Sequence, residues 1–564
     1  MSKLVQQATE QLREAIVSAA GRAVAAGELP AEPIPAFALE VPADRAHGDW
    51  SANIALISAR PFRLPPRKIA ETLTKHLVLE GTFFDRAEIA GPGFLNFFLS
   101  AQFYVEVLKD ITVLGPQYGR SNYGHNKKVM VEFVSANPTG PMHMGNARGG
   151  ALGDCLSAVL DAAGYQVWRE FYVNDAGNQI EKFGASLSAR YLQLFLGEDA
   201  VEFPEDGYQG EDIRDNAKLY ADEHGDRLVK ADEETRRREL VEYILPRNIE
   251  RMQNDLKKYG IEYDQWFLES TLHKNGELQE TLDILAQRGA TYEKDGALWY
   301  KATDFGAEKD EVLVRQNGNP TYFAADIAYH RNKIQKRGYE KCIDIWGADH
   351  HGHVARLKGA LDAVGLSGDQ LDVVLMQLVR LTRDGEVVRM SKRTGKAIQL
   401  ADLLDEVPVD AARFLFNMRE ANSQMEFDLD LAVQQDAQNP VYYVQYANAR
   451  ICSILRTLEA DGVRVRECTN EELALLTAPE EIELIRHLSA FTDEIIQAAK
   501  DYDPARINRY VVTVATLFHK FYNACRVRGE NESLTAARLC LCVAVSTVIR
   551  NVLSMFKISA PESM

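Results

Sequence analysis

Two segments of this 564-residue chain combine phosphate-binding residue types with residues that keep the backbone compact. The first, ANPTGPMHMGN, lies between an apolar β-rich run at 127–135 and a helical pattern at 145–164. A loop that leads into a helix presents free N–H groups at the positive end of the helix dipole, where phosphate binds. Gly145 lets a planar ligand approach the backbone, and His143 can donate to a phosphate oxygen. The alternative is an ordinary turn with a surface histidine.

The second segment, RMSKRTGK, begins at Arg389 and follows a hairpin pattern that turns on Asp384 and Gly385. A loop with Lys392 and a nearby glycine can close on a triphosphate, and its ammonium can neutralise charge that develops on a leaving pyrophosphate. A solvated basic loop is the alternative. Because of their order and separation in the chain, the two segments together are much stronger evidence for a nucleotide-binding site than either segment alone.

A third segment, IWGADHHGH at 345–353, ends a predicted strand. Ligands of an open parallel sheet bind where its strands end. Asp349, His350, His351 and His353 also suit a metal, although no cysteine or glutamate joins them. A structural histidine paired with Asp349 is a further alternative.

A fourth segment, GNPTYFAADIAYH, places Tyr322 and Asp326 four residues apart, hence on one face if the segment is helical. A carboxylate beside an aromatic ring suits a planar, delocalised cation such as a guanidinium. A tyrosine at a helix start and a solvated aspartate are the alternative.

The elements around these segments predict a parallel sheet. Strands at 127–135 and 165–173 flank a helix at 145–164, which makes a βαβ unit. The sheet resumes at 341–347 and, after a helix near 351–364, at 371–381. The polar stretch 174–310 is interpreted as an insertion over the sheet. The remaining predicted elements lie outside this core: a helix at 1–27, a helix at 67–77, a strand at 91–100, and helices from about 406 to the end.

Composition and charge exclude several classes of protein. The chain is 46% hydrophobic and 26% charged, and its length suits roughly three or four domains. No apolar run approaches the roughly 18–20 residues that span a bilayer, and the N-terminus lacks a signal-peptide core, so we expect a cytoplasmic protein without a membrane partner. Seven scattered cysteines give no disulfide framework or zinc knuckle. The net charge of −18 argues against non-specific coating of nucleic acid but permits a local RNA-binding surface.

These segments resemble the signatures of the class I aminoacyl-tRNA synthetases. HMGN resembles the family's His-x-Gly-His signature, with Asn146 at the last position, where an amide can donate a hydrogen bond but carries no charge. RMSKR resembles the Lys-Met-Ser-Lys-Ser loop, with Arg389 for the first lysine and Lys392 for the second. The Tyr-x-x-x-Asp pattern at 322–326 resembles the pocket helix of the arginine-specific members of bacterial type.

The resemblance implies a multidomain α/β architecture. An N-terminal α+β domain that contacts tRNA is expected at 1–115, and a split Rossmann-type parallel-sheet catalytic domain at 116–405. Its two halves are expected at about 125–190 and 310–405, with the insertion between them. A helical linker and an all-α anticodon-binding bundle are expected at 406–564.

The resemblance also implies the activity, which is ATP-dependent ligation of L-arginine to tRNA(Arg) through an arginyl-adenylate, with AMP and diphosphate as products. Mg2+ would travel with ATP, and no tightly bound metal is expected. The expected partners are tRNA(Arg), L-arginine and ATP, with no DNA, and the protein is expected to be a monomer. A class I synthetase for cysteine or glutamate is disfavoured by Tyr322 and Asp326 and by the absence of a zinc set. A non-catalytic tRNA-binding relative is disfavoured by the intact His143 and Lys392.

Residue roles are carried over from the family only where its motifs match. The implied catalytic residues are His143, Asn146 and Lys392. The implied ATP-binding residues are Gly145, Gly347, Asp349, His350, His353, Arg389, Met390 and Ser391. The implied arginine-binding residues are Asn137, Glu269, Tyr322 and Asp326. The implied tRNA-binding residues are Phe94, Asn96 and Tyr446, and core packing is the alternative for the two aromatic residues.

Overall fold

The structure, a computed structural model, describes residues 2–42, 44–388 and 398–564. Its N-terminal unit is a four-stranded antiparallel sheet in the order β1-β2-β4-β3, covered by helices. The strands are β1 (Leu39–Glu40), β2 (Trp50–Ala52), β3 (Phe84–Ala90) and β4 (Phe94–Leu99). The helices are α1 (Lys3–Ala25), α2 (Ile54–Phe62), α3 (Pro66–His76) and α4 (Ala101–Leu114). Apolar residues at helical spacing bury one face of α1 against this sheet's core.

A five-stranded parallel sheet forms the centre of the molecule, in the order β12-β11-β5-β6-β7. Its strands are β5 (Lys128–Glu132), β6 (Gln166–Val173), β7 (Gln265–Leu268), β11 (Lys341–Gly347) and β12 (Leu371–Met376). The strand order reverses between β5 and β11, which lie side by side. Ligands of open α/β sheets bind at such a switch point, beyond the carboxyl ends of the strands.

Helices connect and cover this sheet. They are α5 (Gly145–Ala162), α9 (Ser270–Lys274), α10 (Glu277–Gln287), α11 (Tyr322–Arg331), α12 (His351–Ala363), α13 (Leu400–Glu406), α14 (Val409–Phe416) and α15 (Leu429–Val433). The predicted insertion contains three helices with a hydrophobic core of their own: α6 (Asn178–Leu196), α7 (Glu211–His224) and α8 (Glu233–Lys258). It also contains a three-stranded antiparallel sheet: β8 (Thr291–Lys294), β9 (Ala297–Tyr300) and β10 (Glu311–Val314).

The segment predicted as one strand at 371–381 forms two strands. After β12 ends, β13 (Val379–Arg383) makes a hairpin with β14 (Glu386–Val388), and the turn residues Asp384 and Gly385 have φ of 52° and 76°. The hairpin on these two residues is therefore confirmed. The expectation of helices alone after 406 is wrong, because β15 (Met425–Asp428) pairs in parallel with β13. Its alternation of buried and exposed residues spans only four positions between helices, too few for the sequence pattern to reveal.

The C-terminal part is a bundle of α16 (Pro440–Ala460), α17 (Asn470–Leu473), α18 (Pro479–Ser489), α19 (Phe491–Asp501), α20 (Ala505–Ala524) and α21 (Glu532–Met555). Among the described residues, α21 alone is long and apolar enough to cross a membrane by length and composition, which the sequence analysis did not anticipate. Its most apolar 18-residue window is 67% buried, as in the core helix of a bundle.

A buried ion pair joins the central sheet to the bundle. Arg413 on α14 is fully buried, and its Nη2 lies 2.5 Å from Asp154 Oδ2 on α5. Its Nε donates to Phe556 O, just after α21 (2.8 Å), and its Nη1 donates to Tyr259 O, just after α8 (3.1 Å). One guanidinium therefore joins the first helix of the central sheet, the insertion and the segment after α21.

Replacing this arginine tests how much the junction stabilises the fold. Arg413→Met removes the guanidinium bonds to Asp154 and to two backbone carbonyls, while Lys557 Nζ at 3.0 Å and Arg169 Nε at 3.6 Å still compensate the Asp154 charge, so we expect the free energy of unfolding to fall by about 2–3 kcal/mol. Arg528→Met is the matched control, because Arg528 pairs with Asp461 while both side chains are about half exposed, and we expect a loss below about 1 kcal/mol. Calorimetry of both variants measures the difference, and equal losses would contradict the role of the junction.

Candidate active site

A cavity of about 560 Å3 lies beyond the carboxyl ends of β5, β6 and β11, against the first turns of α11. Six residues predicted from the sequence line it: Tyr322, Asp326, Gly347, Asp349, His350 and His353. They come from α11, from the end of β11 and from the start of α12, so the third and fourth segments meet at one site. The cavity is at the switch point of the sheet, where a ligand is expected.

The helix α11 places Tyr322 and Asp326 on the face that lines the cavity, as their spacing predicts. His353 Nε2 lies 2.9 Å from Asp326 Oδ2, and the side chain of Asp326 remains about one-third exposed. The structure therefore places His353, predicted to bind ATP, on the carboxylate predicted to bind arginine. This contact orients Asp326 toward the open space of the cavity.

Glu269 lies at the end of β7 and is only 4% exposed. Tyr172 donates from its hydroxyl to Glu269 Oε2 at 2.8 Å, and His273 Nε2 at 3.8 Å is the one basic nitrogen within 4 Å that we find in the described part of the chain. Burial raises the pKa of Glu269 to about 7, assisted by Asp326 and Asp175 and opposed by the Tyr172 hydrogen bond. The site thus holds a carboxylate with a pKa near neutral pH, whose nearest basic nitrogen within the described chain lies 3.8 Å away.

Glu269 and Asp326 face two neighbouring cavities that share one wall. Glu269 lines a second cavity, of about 220 Å3, and Tyr322 lines both this cavity and the first. Asn174 lies between Glu269 and Asn137, and its amide can face either one: Nδ2 donates to Asn137 Oδ1 at 3.3 Å in one orientation and to Glu269 Oε2 at 3.1 Å in the other. The second carboxylate and the loop that carries the first motif therefore lie on either side of one amide side chain.

The first motif is at the start of α5, as predicted. The helix begins at Gly145, whose N–H donates to His143 Nδ1 (3.1 Å), and the Asn146 N–H donates to His143 O (2.9 Å). His143 is exposed and lines a third cavity, of about 740 Å3, between this loop and the insertion. These two N–H groups and that of Ala147, which donates to Met144 O at 2.9 Å, are engaged within the turn, so an anion bound here is attracted by the positive end of the helix dipole.

The second motif lies outside the described residues, and this includes Arg389, Met390, Ser391 and Lys392. The described chain just after it pairs with the first motif. Met144 N–H donates to Ile398 O at 3.0 Å, and Leu400 N–H donates to Met142 O at 2.9 Å. The structure thus places Ile398 and Leu400, the described residues that follow the second motif, beside the start of α5.

A row of buried carboxylates beneath the cavity was missed by the sequence analysis. Glu132 on β5 is the register partner of Asp344 on β11 and of Glu170 on β6. All three are buried. A signal existed, because an acidic residue within an apolar strand is uncommon unless it is paired. The cations that pair with these carboxylates lie outside the strands, so the strand sequences do not identify them.

Glu132 and Asp344, with His330, are close enough together to hold a metal ion. Lys333 Nζ, however, lies 2.5 Å from Glu132 Oε2 and 3.0 Å from Asp344 Oδ1. Burial opposes the ionisation of Asp344, but Lys333 and His330 outweigh it and lower its pKa to about 2. The cation of this cluster is therefore an ammonium supplied by the chain, and the predicted lack of a tightly bound metal stays a prediction.

The residues predicted to contact tRNA lie away from the cavity. Phe94 is 37% exposed at the start of β4, whereas Asn96 is 4% exposed and its Oδ1 accepts from Ser51 Oγ at 2.8 Å. Tyr446 on α16 is 36% exposed, and the Arg450 guanidinium lies 5.0 Å from its ring centroid. Phe94 and Tyr446 are thus accessible to a partner, while Asn96 is part of the N-terminal sheet.

Comparison with known proteins decides the family. The model of the class I (R) tRNA synthetase catalytic domain matches residues 108–452, the arginyl tRNA synthetase N-terminal domain matches 6–99, and the DALR anticodon-binding domain matches 444–564. The chain belongs to the arginyl-tRNA synthetases. The arginine–tRNA ligases of Acetivibrio thermocellus and of Caldanaerobacter subterraneus subsp. tengcongensis are each 56% identical over 564 residues, with both chains fully covered. The predicted family, class I fold and ligase activity are confirmed.

Solved structures of arginyl-tRNA synthetases have the same fold. A putative arginyl-tRNA synthetase from Campylobacter jejuni matches with a TM-score of 0.73 and 32% identity, over 83% of this chain and all of that one. The enzyme from Thermus thermophilus matches with a TM-score of 0.71 and 23% identity, over 98% of this chain and all of that one. The order of the α+β unit, the sheet domain and the helical bundle is therefore the order found in the family.

Proposed function

We propose that this arginyl-tRNA synthetase ligates L-arginine to tRNA(Arg) in two steps at the cavity beyond β5 and β11. In the first step, a carboxylate oxygen of arginine attacks the α-phosphorus of ATP, and the bond to pyrophosphate breaks. In the second, the terminal ribose hydroxyl of the tRNA attacks the activated carbonyl, and AMP leaves. Neither step requires a covalent enzyme intermediate, so the protein contributes positioning and charge stabilisation.

The observation that carries the assignment is the pair of carboxylates on either side of Tyr322. Glu269 is buried, with His273 Nε2 at 3.8 Å as its nearest basic nitrogen among the residues that the structure describes. Asp326 is held by His353 with part of its carboxylate open to the cavity. A guanidinium can bind both carboxylates and stack against the tyrosine ring. Other side chains would leave Glu269 buried and unpaired, so the site rejects them without a separate editing domain.

The other end of arginine is assigned to the loop before α5. Asn137 lies in this loop, and the Asn174 side chain separates it from Glu269. We assign its side-chain amide to the α-amino or carboxylate group of the substrate. This places the reacting carboxylate near the N-terminus of α5, where the phosphates of ATP are expected.

ATP is assigned to the remaining part of the site. The phosphates are assigned to the positive end of the α5 dipole, beside Gly145 and the side chains of His143 and Asn146, and Mg2+ enters with them. Gly347, Asp349 and His350 line the cavity at the end of β11 and suit the nucleoside. His353 is better assigned to positioning Asp326 than to ATP, because its Nε2 is bonded to that carboxylate. The role of Lys392 at the leaving pyrophosphate stays a prediction from its motif.

The tRNA is assigned to two accessible aromatic sites. The Arg450 guanidinium lies 5.0 Å from the ring centroids of both Tyr446 and Tyr522. Arg450 and Tyr522 line a cavity of about 580 Å3, together with Arg526 and Arg528. Aromatic and guanidinium planes stack on unpaired bases, and the arginines attract phosphate. This local basic surface suits RNA although the net charge is −18. Phe94 is assigned a second contact, on the N-terminal sheet.

Asp326→Asn tests the guanidinium pocket. The change keeps the size of the side chain and removes one negative charge, so a charge-assisted hydrogen bond worth about 1.5–3 kcal/mol becomes a neutral one. We expect the KM for arginine to rise roughly ten- to a hundredfold while the KM for ATP stays nearly unchanged. Citrulline, which is almost isosteric and neutral, should be discriminated less well by the variant than by the parent. An unchanged KM for arginine in aminoacylation would place Asp326 outside the pocket.

The raised pKa of Glu269 predicts a pH dependence. Below about pH 7 the free enzyme carries a protonated Glu269, which cannot pair with a guanidinium, so kcat/KM for arginine should rise between pH 6 and pH 8. The expected slope approaches about tenfold per pH unit at the acidic end. Glu269→Gln should lower kcat/KM at pH 8 and remove this rise. The same pH profile in parent and variant would assign the titration to another group.

A further inference from the structure

Three cations from one segment of chain neutralise the row of buried carboxylates in the sheet. In a parallel sheet, register partners point to the same face, so Asp344, Glu132 and Glu170 form a line across β11, β5 and β6. Like charges directly opposite each other destabilise a sheet. The segment that begins with α11 supplies the three compensating side chains, which are His330, Lys333 and Arg337.

Each cation has a defined place in the row. Lys333 is fully buried and bonds both Glu132 and Asp344. Arg337 Nη1 donates to Glu170 Oε1 at 2.8 Å, and its Nη2 bonds the second oxygen of the same carboxylate. Lys333 and Arg337 lie at and just after a π-helical turn (Asn332–Lys336) that continues α11. Such turns are rare and occur frequently at functional sites.

His330 connects this row to the residue proposed to bind the guanidinium. Its Nδ1 lies 2.8 Å from the backbone oxygen of Asp326, and its Nε2 lies 2.7 Å from Asp344 Oδ2. Since both partners are acceptors, both ring nitrogens donate. The backbone at Asp326 is thereby tied to β11 through a single imidazole ring.

Glu132 connects the row to the other end of the proposed arginine site. It is the last residue of β5, and its Oε1 accepts from Ser135 Oγ at 2.8 Å. Ser135 and Val134 have φ of 41° and 70°, the left-handed region that β-branched residues in particular avoid. The hydrogen bond to Glu132 therefore helps to hold the turn from which the chain runs directly to Asn137.

We propose that Lys333 is a positioning residue that sets the distance between the guanidinium pocket on α11 and the loop after β5, and thereby the length of side chain that the enzyme accepts. Its ammonium bonds both Glu132, which holds the loop, and Asp344, which holds His330 and the backbone of Asp326. The proposal rests on the guanidinium pocket proposed above and adds a determinant of length to its charge recognition.

A direct chemical role for Lys333 does not fit its surroundings. Burial by itself would lower the pKa of the Lys333 ammonium, but Asp344 and Glu132 raise it above its usual value. The group stays charged, fully buried and bonded to two carboxylates, so it cannot accept a proton or reach a substrate. What it controls is the relative placement of two strands and one helix.

The test compares arginine with homoarginine, which is one methylene longer, and with citrulline, which has the length of arginine but no charge. Discrimination by one methylene is typically about 10–200-fold in kcat/KM. The variants are Lys333→Met and the double variant Lys333→Met with Asp344→Asn, which removes one cation and one anion and leaves the net charge of the row unchanged. We expect both to lower the arginine-to-homoarginine ratio at least about tenfold and to keep the arginine-to-citrulline ratio within about threefold.

Arg331→Met is the matched control. Arg331 is on the same helix and 4% exposed, and its Nη2 lies 2.6 Å from Glu280 Oε1 on α10, away from the row. Its loss also removes a buried cation, so we expect a lowered melting temperature with both substrate ratios unchanged. This control separates a general loss of packing around α11 from a change in the distance between the guanidinium pocket and the loop after β5.

Two outcomes would overturn the proposal. A parent-like arginine-to-homoarginine ratio in the folded double variant would show that Lys333 does not set the length. An equal fall in the arginine-to-citrulline ratio would assign Lys333 to the charge of the pocket instead. A third outcome applies if neither methionine variant folds. Lys333→Arg is then decisive, because it keeps the charge on a longer side chain. A parent-like arginine-to-homoarginine ratio in that variant would also overturn the proposal. A failure of the proposed guanidinium pocket is detected by a separate experiment, because the KM for arginine would then be unchanged in Asp326→Asn.

Discussion

Three carboxylates lie side by side across the three central strands of the sheet, and they can stay ionised there only if cations are brought to them. Asp344, Glu132 and Glu170 are buried register partners, and the segment that starts with α11 supplies the cations. Breaking such a buried pair costs several kcal/mol, so α11 has one place on the sheet. The face of α11 that carries Tyr322 and Asp326 then points into the cavity at the switch point.

The same residue type serves two purposes within this site. In the row, each carboxylate is compensated by a cation from the segment that starts with α11, and the pairs fix the position of that segment on the sheet. Above the row, burial keeps the pKa of Glu269 at about 7, and the nearest basic nitrogen in the described chain is His273 Nε2 at 3.8 Å, while Asp326 is held by one histidine. Glu269 and Asp326 therefore suit a cationic substrate. Their burial carries a desolvation cost that a cationic ligand offsets and a neutral ligand does not. The arginyl-tRNA synthetase family to which the chain belongs needs a site of this kind.

The sequence predicted those parts of the molecule that depend on neighbours along the chain. The βαβ unit with its Gly145 helix start, the Asp384 turn and the shared face of Tyr322 and Asp326 all follow from local spacing. The carboxylate row did not, because register between β5 and β11 is set by residues far apart in sequence. The contact between His353 and Asp326 was missed for the same reason. Four-residue β15 was too short for its period to be seen, and the Lys392 motif lies outside the described residues.

The central claim is that the two carboxylates beside Tyr322 receive a guanidinium while the row beneath fixes where they are. A crystal structure of the enzyme with L-arginine tests this most directly. The account predicts guanidinium nitrogens within about 3 Å of both Asp326 and Glu269, the α-amino or carboxylate group at Asn137, and an unchanged set of bonds from Lys333 to Glu132 and Asp344. Arginine bound with its guanidinium away from both carboxylates, or a row that rearranges when arginine binds, would contradict it.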